Sequence, residues 1–423
     1  MDSGTAVMLP HEPKTEYYSP GLRARYCLDG IPNPIPAEHA TYADIGYITD
    51  KSKYLARMNA RLDAGGLEKE LPPGWPKSVE GRMVWSADSF KSEDDVVVHL
   101  SHEDIRELEY ALKRFNELEL DGYEVEPDNF PLPTLAKKLH SVRDEVYDGK
   151  GFTILRGLDP DAYSTGDLTI IYLGISSYIA PITGKQDQKG SHIMHVIDRN
   201  YPQAVKHTDD EKPFHTDTIC DTLALLCRSC SASGGRSILA SSAAVYNELA
   251  ATRPDLIHVL AKEDWPFDTY GRDPPYYRRA LLYWHEGHVI LNFSRRLLTG
   301  KPPFSPRSRG IPGLNEAQAE ALDAVTFTAV KYEFRTSVQK GDIRFINNLA
   351  LLHRPEAFED SDTAHRHLIR LWLHNPDKVW KLPEALGLAM ARVFGDDERE
   401  DRWDIEPVRL TNGILLRTAP SCD

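Results

Sequence analysis

The chain has 423 residues, an ordinary 41% hydrophobic content and a formal charge of -14 from 50 basic and 64 acidic side chains. That length and composition suit a globular protein of one elaborated domain or two. A surface of this sign repels phosphate backbones and anionic lipid, which argues against nucleic acid or a membrane as partner. No apolar run is long enough to span a bilayer, and Met1 to Gly21 lacks a secretory pattern. Five scattered cysteines (Cys27, Cys220, Cys227, Cys230, Cys422) argue against a disulfide framework and for a reducing, cytoplasmic setting.

Residues 1–100 read as an irregular N-terminal arm packed on the body of the protein. It is rich in proline and glycine, as in Pro32-Asn33-Pro34-Ile35-Pro36 and Leu71-Pro72-Pro73-Gly74-Trp75-Pro76, with one short helix at Lys51 to Leu62. The body, 101–395, opens with an N-cap at Ser101, Asp104 three residues on, and Ile105, Leu108, Leu112, Phe115 and Leu118 at helical spacing. Leu135 to Tyr147 and Ser164 to Ser177 are further predicted helices, with a strand from Gly151 to Leu158 between them. After Asp217 the pattern predicts extended segments at Thr222 to Cys230 and Arg236 to Ala240. Ala243 to Ala261 reads as helical with a break at Pro254. His288 to Phe293 and Gly341 to Asn347 read as strands around a helix from Asn315 to Phe334. A strand from Arg366 to His374, a helix near Pro383 to Phe394 and a polar tail, 396–423, complete the chain. Short strands separated by turns and interrupted by helices predict a mainly β fold, a double-sheet jelly roll with helical insertions.

The chemistry centres on Phe214-His215-Thr216-Asp217. In an extended segment, side chains two apart leave the backbone on the same face, so His215 and Asp217 present an imidazole and a carboxylate to one point. A second imidazole would complete a 2-His-1-carboxylate triad with open positions for ligands on a non-haem Fe(II). The candidate is His353, in Leu351-Leu352-His353-Arg354-Pro355. Alone, a His-x-Asp pair is more often two surface side chains bonded to each other. Alternation in the strand 366–374 places Arg366, Leu368, Arg370 and Trp372 on one face. Guanidinium groups on a half-apolar face need an anionic partner, and their planar fork suits a carboxylate, so a carboxylate-binding site is the simplest explanation; a structural salt bridge is the alternative, most of all for Arg370. Cys227-Arg228-Ser229-Cys230 has thiols three apart, facing opposite ways on a strand, with no second pair to complete a zinc site; these are read as packing residues. Arg295, after the strand ending Asn292-Phe293-Ser294, is a candidate to line the pocket, with a salt-bridged loop arginine as the commoner reading.

Taken together, His215-x-Asp217, Gly234-Gly235-Arg236-Ser237, Gly341-Asp342, His353, Arg366 and Arg370 resemble, in this order, the motifs of one family. It is the TauD/TfdA family (taurine dioxygenase-like, clavaminate synthase-like) of Fe(II)/2-oxoglutarate-dependent dioxygenases, in its fungal branch. The resemblance spans 151–375. It implies a double-stranded β-helix core and Fe(II) held by His215, Asp217 and His353. It also implies a distal carboxylate of 2-oxoglutarate held by Arg366 and by Ser237, where the family usually has threonine. Arg370 matches the position that holds the anionic group of the substrate in taurine dioxygenase. Gln186, His192 and His195 lie where other substrate anchors are expected, and the pattern does not choose among them. The implied reaction consumes 2-oxoglutarate and O2, releases succinate and CO2, and oxidises a C–H bond of a small molecule, an amino acid or a secondary-metabolite intermediate. The ligand set leaves hydroxylation, desaturation and cyclisation open, and a homo-oligomer is neither required nor excluded. The alternatives are a non-catalytic ligand-binding relative and a cupin-like metal enzyme that does not use 2-oxoglutarate.

Overall fold

A computed structural model describes residues 42–187, 189–197, 212–270, 275–302, 305–361, 363–395 and 399–407. The readings of Met1 to Gly21, Cys27, Pro32 to Pro36 and Cys422 lie outside the described residues. In chain order the jelly roll uses β1 (Val97–His99), β2 (Phe152–Arg156), β3 (Ile182–Thr183), β4 (Met194–Ile197) and β5 (Thr222–Ser229). It continues with β6 (Ser237–Ser241), β7 (Phe334–Thr336), β8 (Ile343–Asn347), β9 (Leu351–Pro355) and β10 (His367–His374).

The larger sheet has the order β1-β2-β8-β5-β10-β3, with β4 also on β10. The smaller has the order β7-β6-β9, and the backbone of His215 bridges to His353 on β9 to extend it. Strand alternation then sorts the side chains into three layers. Ala224, Leu226, Ile343, Phe345, Ile369 and Leu371 leave the outer face of the larger sheet and pack under helices His102–Glu117, Leu135–Tyr147 and Thr165–Ser177. Phe214, Ile238, Ala240 and Leu352 leave the outer face of the smaller sheet and pack under helices Ser242–Thr252, Pro254–Ala261 and Glu316–Lys331. Between the sheets lie Phe152, Leu223, Leu239, Ile346, Leu351 and Trp372. The functional side chains share that inner layer.

Local signals explain the helices. Ser101 and Asp104 form a reciprocal capping box, Asn315 caps the 316–331 helix, and Pro254 takes the first-turn position of its own helix after a break at Arg253. The predicted helix ending at Phe334 stops instead at Lys331, and Phe334 opens β7. There its ring joins Trp85, Phe90 and Phe152, with Phe90 and Phe334 centroids 4.3 Å apart, so burial of an aromatic overrides helical periodicity. The predicted strand at His288 pairs with Leu282–His285, and Trp265–Asp268 pairs with Tyr276–Arg279; those three partner strands are additions to the sequence reading.

The arm is anchored by charge as well as by those rings. Helix Lys51–Ala64 starts at Asp50, whose carboxylate accepts from the Ser52 and Lys53 amides at 2.9 and 3.0 Å. Arg57 reaches Glu316 at 2.6 Å and Asp323 at 3.2 Å, and Asp323 also takes Arg295 at 2.7 Å, the salt bridge expected of that residue. Arg61 and Arg253 share the fully buried Glu320. Both arginines also pair with Asp255, so Glu320→Ala should leave them on that carboxylate alone and cost about 1.5–3 kcal/mol of stability. Chemical denaturation would show this as a lowered midpoint; an unchanged midpoint would mean the cluster is not what clasps the arm.

Candidate metal centre

The two imidazoles are brought together by backbone pairing. The His215 amide donates to the His353 carbonyl at 3.0 Å and the His353 amide donates back at 2.8 Å. A pair that exchanges both bonds sits directly across the ladder with side chains on one face, and the ring centroids are 4.4 Å apart. Asp217, two residues on, shares that face as the sequence predicts. The other side of the segment is tied down: the Thr216 amide donates to Phe293 O at 2.8 Å, and the Phe293 amide donates to Thr216 Oγ1 at 2.9 Å. The Asp217 amide donates to Asn348 Oδ1 at 2.8 Å, and Asn348 Nδ2 returns a bond to Asp217 O at 3.1 Å. Backbone geometry thus fixes all three side chains.

One ligand atom from each of His215, Asp217 and His353 can be chosen so that all lie within 4.8 Å of one another. His215 Nδ1 donates to Pro213 O at 3.2 Å, which leaves Nε2 as the lone-pair nitrogen. The two carboxylate oxygens of Asp217 have different roles. Oδ2 accepts from Trp372 Nε1 and pairs with Arg370 Nη1 at 3.2 Å. Oδ1 is buried without a hydrogen-bond partner and faces His353 Nε2 at 3.6 Å. Burial alone would push this carboxyl up; Arg370, His353 and His215 outweigh it and hold it well below the ordinary carboxylate range. An ionised oxygen with no donor, beside two imidazoles, is a donor set that fits Fe(II). Those three residues would hold the ion.

Of the predicted co-substrate residues, Ser237 lies on the same inner layer. Across the ladder Leu239 faces His353 and Ser237 faces Pro355, so Ser237 shares the face of His353, about 7 Å further along the strand. The Gly234-Gly235 turn needs glycine: both have positive φ, 68° and 79°, and a Cβ at 234 would collide with the Ala357 carbonyl. A Cβ on Gly235 would lie 3.8 Å from Arg366 Cδ, and the guanidinium of Arg366 sits 5.1 Å from the Phe358 ring centroid. Arg370 and Trp372 do share a face, since both touch Asp217, while a register shift between His367 and Leu368 interrupts strict alternation before Arg366.

Of the three upstream candidates, Gln186 joins the site: its Oε1 accepts from Arg370 Nε at 2.8 Å, and its Nε2 donates to Arg370 O and His192 O. His192 instead stacks on Trp403 and pairs with Asp401, and His195 bonds His367 Nε2 at 2.8 Å. Cys227 and Cys230 do not face apart. The strand ends at Ser229 and the turn brings Sγ to within 3.6 Å of Sγ. Trp372 and Asn348, which hold Asp217, were missed as site residues, because only the assembled sheets bring them to that carboxylate.

A profile of the family described as "Taurine catabolism dioxygenase TauD, TfdA family" matches residues 115–372. The chain belongs to the TauD/TfdA dioxygenase family. It is similar to the "Taurine hydroxylase-like protein SAT17" of Stachybotrys chartarum (strain CBS 109288 / IBT 7711). The two are 35% identical over 350 residues, 79% of this chain and 90% of the relative. Its fold is similar to that of asparagine oxygenase in complex with Fe(II), 2S,3S-3-hydroxyasparagine and succinate. The TM-score is 0.51 at 15% identity, over 66% of this chain and 93% of that one. The non-haem iron oxygenase OrfP in complex with Fe and alpha-ketoglutaric acid aligns at a TM-score of 0.47 and 16% identity, over 66% of this chain and 94% of that one. This TauD/TfdA dioxygenase thus has the jelly-roll core its motifs imply, and among its described residues no helix is long and apolar enough to cross a membrane.

Because Arg370 and Trp372 orient the ligand carboxylate, Arg370→Met should weaken metal binding by about 10- to 100-fold. Titration with Mn(II) would read this, and an unchanged affinity would show that Asp217 holds its pose without the arginine.

Proposed function

We propose that this dioxygenase couples oxidation of 2-oxoglutarate to succinate and CO2 with oxidation of a C–H bond in a small, acidic organic substrate, an amino acid or a close relative. The observation that carries the reading is Asp217, with one oxygen clasped by Arg370 and Trp372 and the other left bare toward His353. Fe(II) held by His215, Asp217 and His353 supplies the redox chemistry that activates O2. The protein's own residues supply position and dryness. Arg366 and Ser237 hold the distal carboxylate of 2-oxoglutarate, which fixes the length and polarity of the acid that fits. Arg370 keeps Asp217 ionised and aimed. It is also the cation beside the triad that an acidic substrate would meet, and Gln186 sets the plane of its guanidinium. The Trp85, Phe90, Phe152 and Phe334 cluster contributes apolar surface to the same inner layer and keeps that part of the barrel dry. The asparagine oxygenase of similar fold was captured with a hydroxylated amino acid, which supports a substrate of that class here. Among the described residues Cys220, Cys227 and Cys230 are free, which accords with a cytosolic enzyme.

Anaerobic addition of Fe(II) and 2-oxoglutarate should produce a weak visible absorption band, and Asp217→Ala should remove both that band and turnover. Retained turnover in that variant would take Asp217 out of the reaction. Succinate release, screened over amino acids and related acids and read by mass spectrometry, would name the substrate. Arg366→Ala should raise the 2-oxoglutarate requirement far more than the substrate requirement; equal effects would mean that the carboxylate clamp is elsewhere.

A further inference from the structure

Arg344, on β8, is not part of the motif set, yet it is only 4% exposed and lies on the inner layer. It sits opposite Leu225, which in turn sits opposite Arg370, so Arg344 and Arg370 leave the larger sheet on the same face two strands apart. Its side chain crosses the interior to the smaller sheet, where Nη1 donates to Thr336 Oγ1 at 2.7 Å and Nη2 donates to Ser337 O. Thr336 is the direct cross-strand partner of Ser237, and its hydroxyl donates to Ser237 O at 3.4 Å. The guanidinium therefore ends beside the serine that faces the distal end of the co-substrate.

A buried cation of this kind costs free energy unless an anion faces it. Its nearest carboxylate, Asp342 Oδ2, is 3.5 Å away and already accepts from Arg156 Nη2 and the Gln339 amide, each at 2.9 Å. Arg344 Nε has no partner at all. Burial pulls the guanidinium down to about 10, against the opposing pull of Asp342. A second landmark ties it to Arg366. Arg366 approaches the same segment: a Cβ on Gly235, two residues before Ser237, would lie 3.8 Å from Arg366 Cδ. Arg344, through Thr336, and Arg366 thus both approach the Gly235–Ser237 stretch.

Resting on the proposed function, we infer that Arg344 is a second cationic binding residue for the distal carboxylate of 2-oxoglutarate, opposite Arg366, and that the pair makes the site select a dicarboxylic 2-oxo acid. The probes are 2-oxoglutarate and 2-oxopentanoate, which has the same carbon chain but ends in a methyl group. Calorimetric titration of the Mn(II)-loaded protein under nitrogen reads both. Arg344→Gln keeps a polar group for Thr336 and removes the charge; it should weaken 2-oxoglutarate binding about 10- to 100-fold and leave 2-oxopentanoate within about twofold. Arg344→Lys should restore most of the preference for the diacid. A parallel loss for both acids, or no loss for either, would reduce Arg344 to a brace between β7 and β8 and overturn the inference. Should Arg344→Gln fail to fold, Thr336→Val, which withdraws only the hydroxyl that aims the guanidinium, carries the same comparison. Failure of the unmodified protein to bind 2-oxoglutarate at all would instead overturn the proposed function.

Discussion

The site depends on how one carboxylate is divided. Asp217 is fully buried, and an ionised carboxylate in such a place survives only if its charge is answered on every side. Trp372 and Arg370 answer one oxygen from the larger sheet. The other is aimed from the smaller sheet toward His353 and has no donor of its own, which is the condition of an oxygen kept for a cation. Since the clasp and the ligands come from opposite sheets, the pocket exists only when the two sheets face each other at the right register.

The layering makes that register hard to lose. Each sheet turns a dense apolar face outward under its own helices, so a one-residue slip would bury polar side chains beneath helices and expose leucines to the site. The inner layer can then hold what is costly elsewhere: two imidazoles, a carboxylate and the guanidinium groups of Arg344 and Arg370. The arm adds to this. Its aromatic residues join the inner core, and its helix is clamped to the 316–331 helix by a cluster of ion pairs.

Arg370 illustrates how a residue's position differs from its contacts. By position it matches the substrate anchor of taurine dioxygenase; in this structure its guanidinium is shared between Asp217 and Gln186. An acidic substrate would therefore meet a cation already engaged with the metal ligand.

The amino-acid order alone determined a good deal. The His215-x-Asp217 spacing put two side chains on one face, and the capping residue Ser101 and the break at Pro254 marked helices where they occur. These are local facts, set by strand alternation and by unsatisfied amides at a helix start, and they need no tertiary structure. Which imidazole would join the pair was legible only through motif order, since His353 is 138 positions beyond His215. Folding decided the rest. The turn after Ser229 joined two thiols that alternation had set apart, Gln186 rather than His192 or His195 joined the arginine, and Phe334 left its helix for a strand. Trp372, Asn348 and Arg344 acquired their roles in the same way. Their partners lie on other strands, and cross-strand register is a property of assembled sheets that spacing along one chain does not contain.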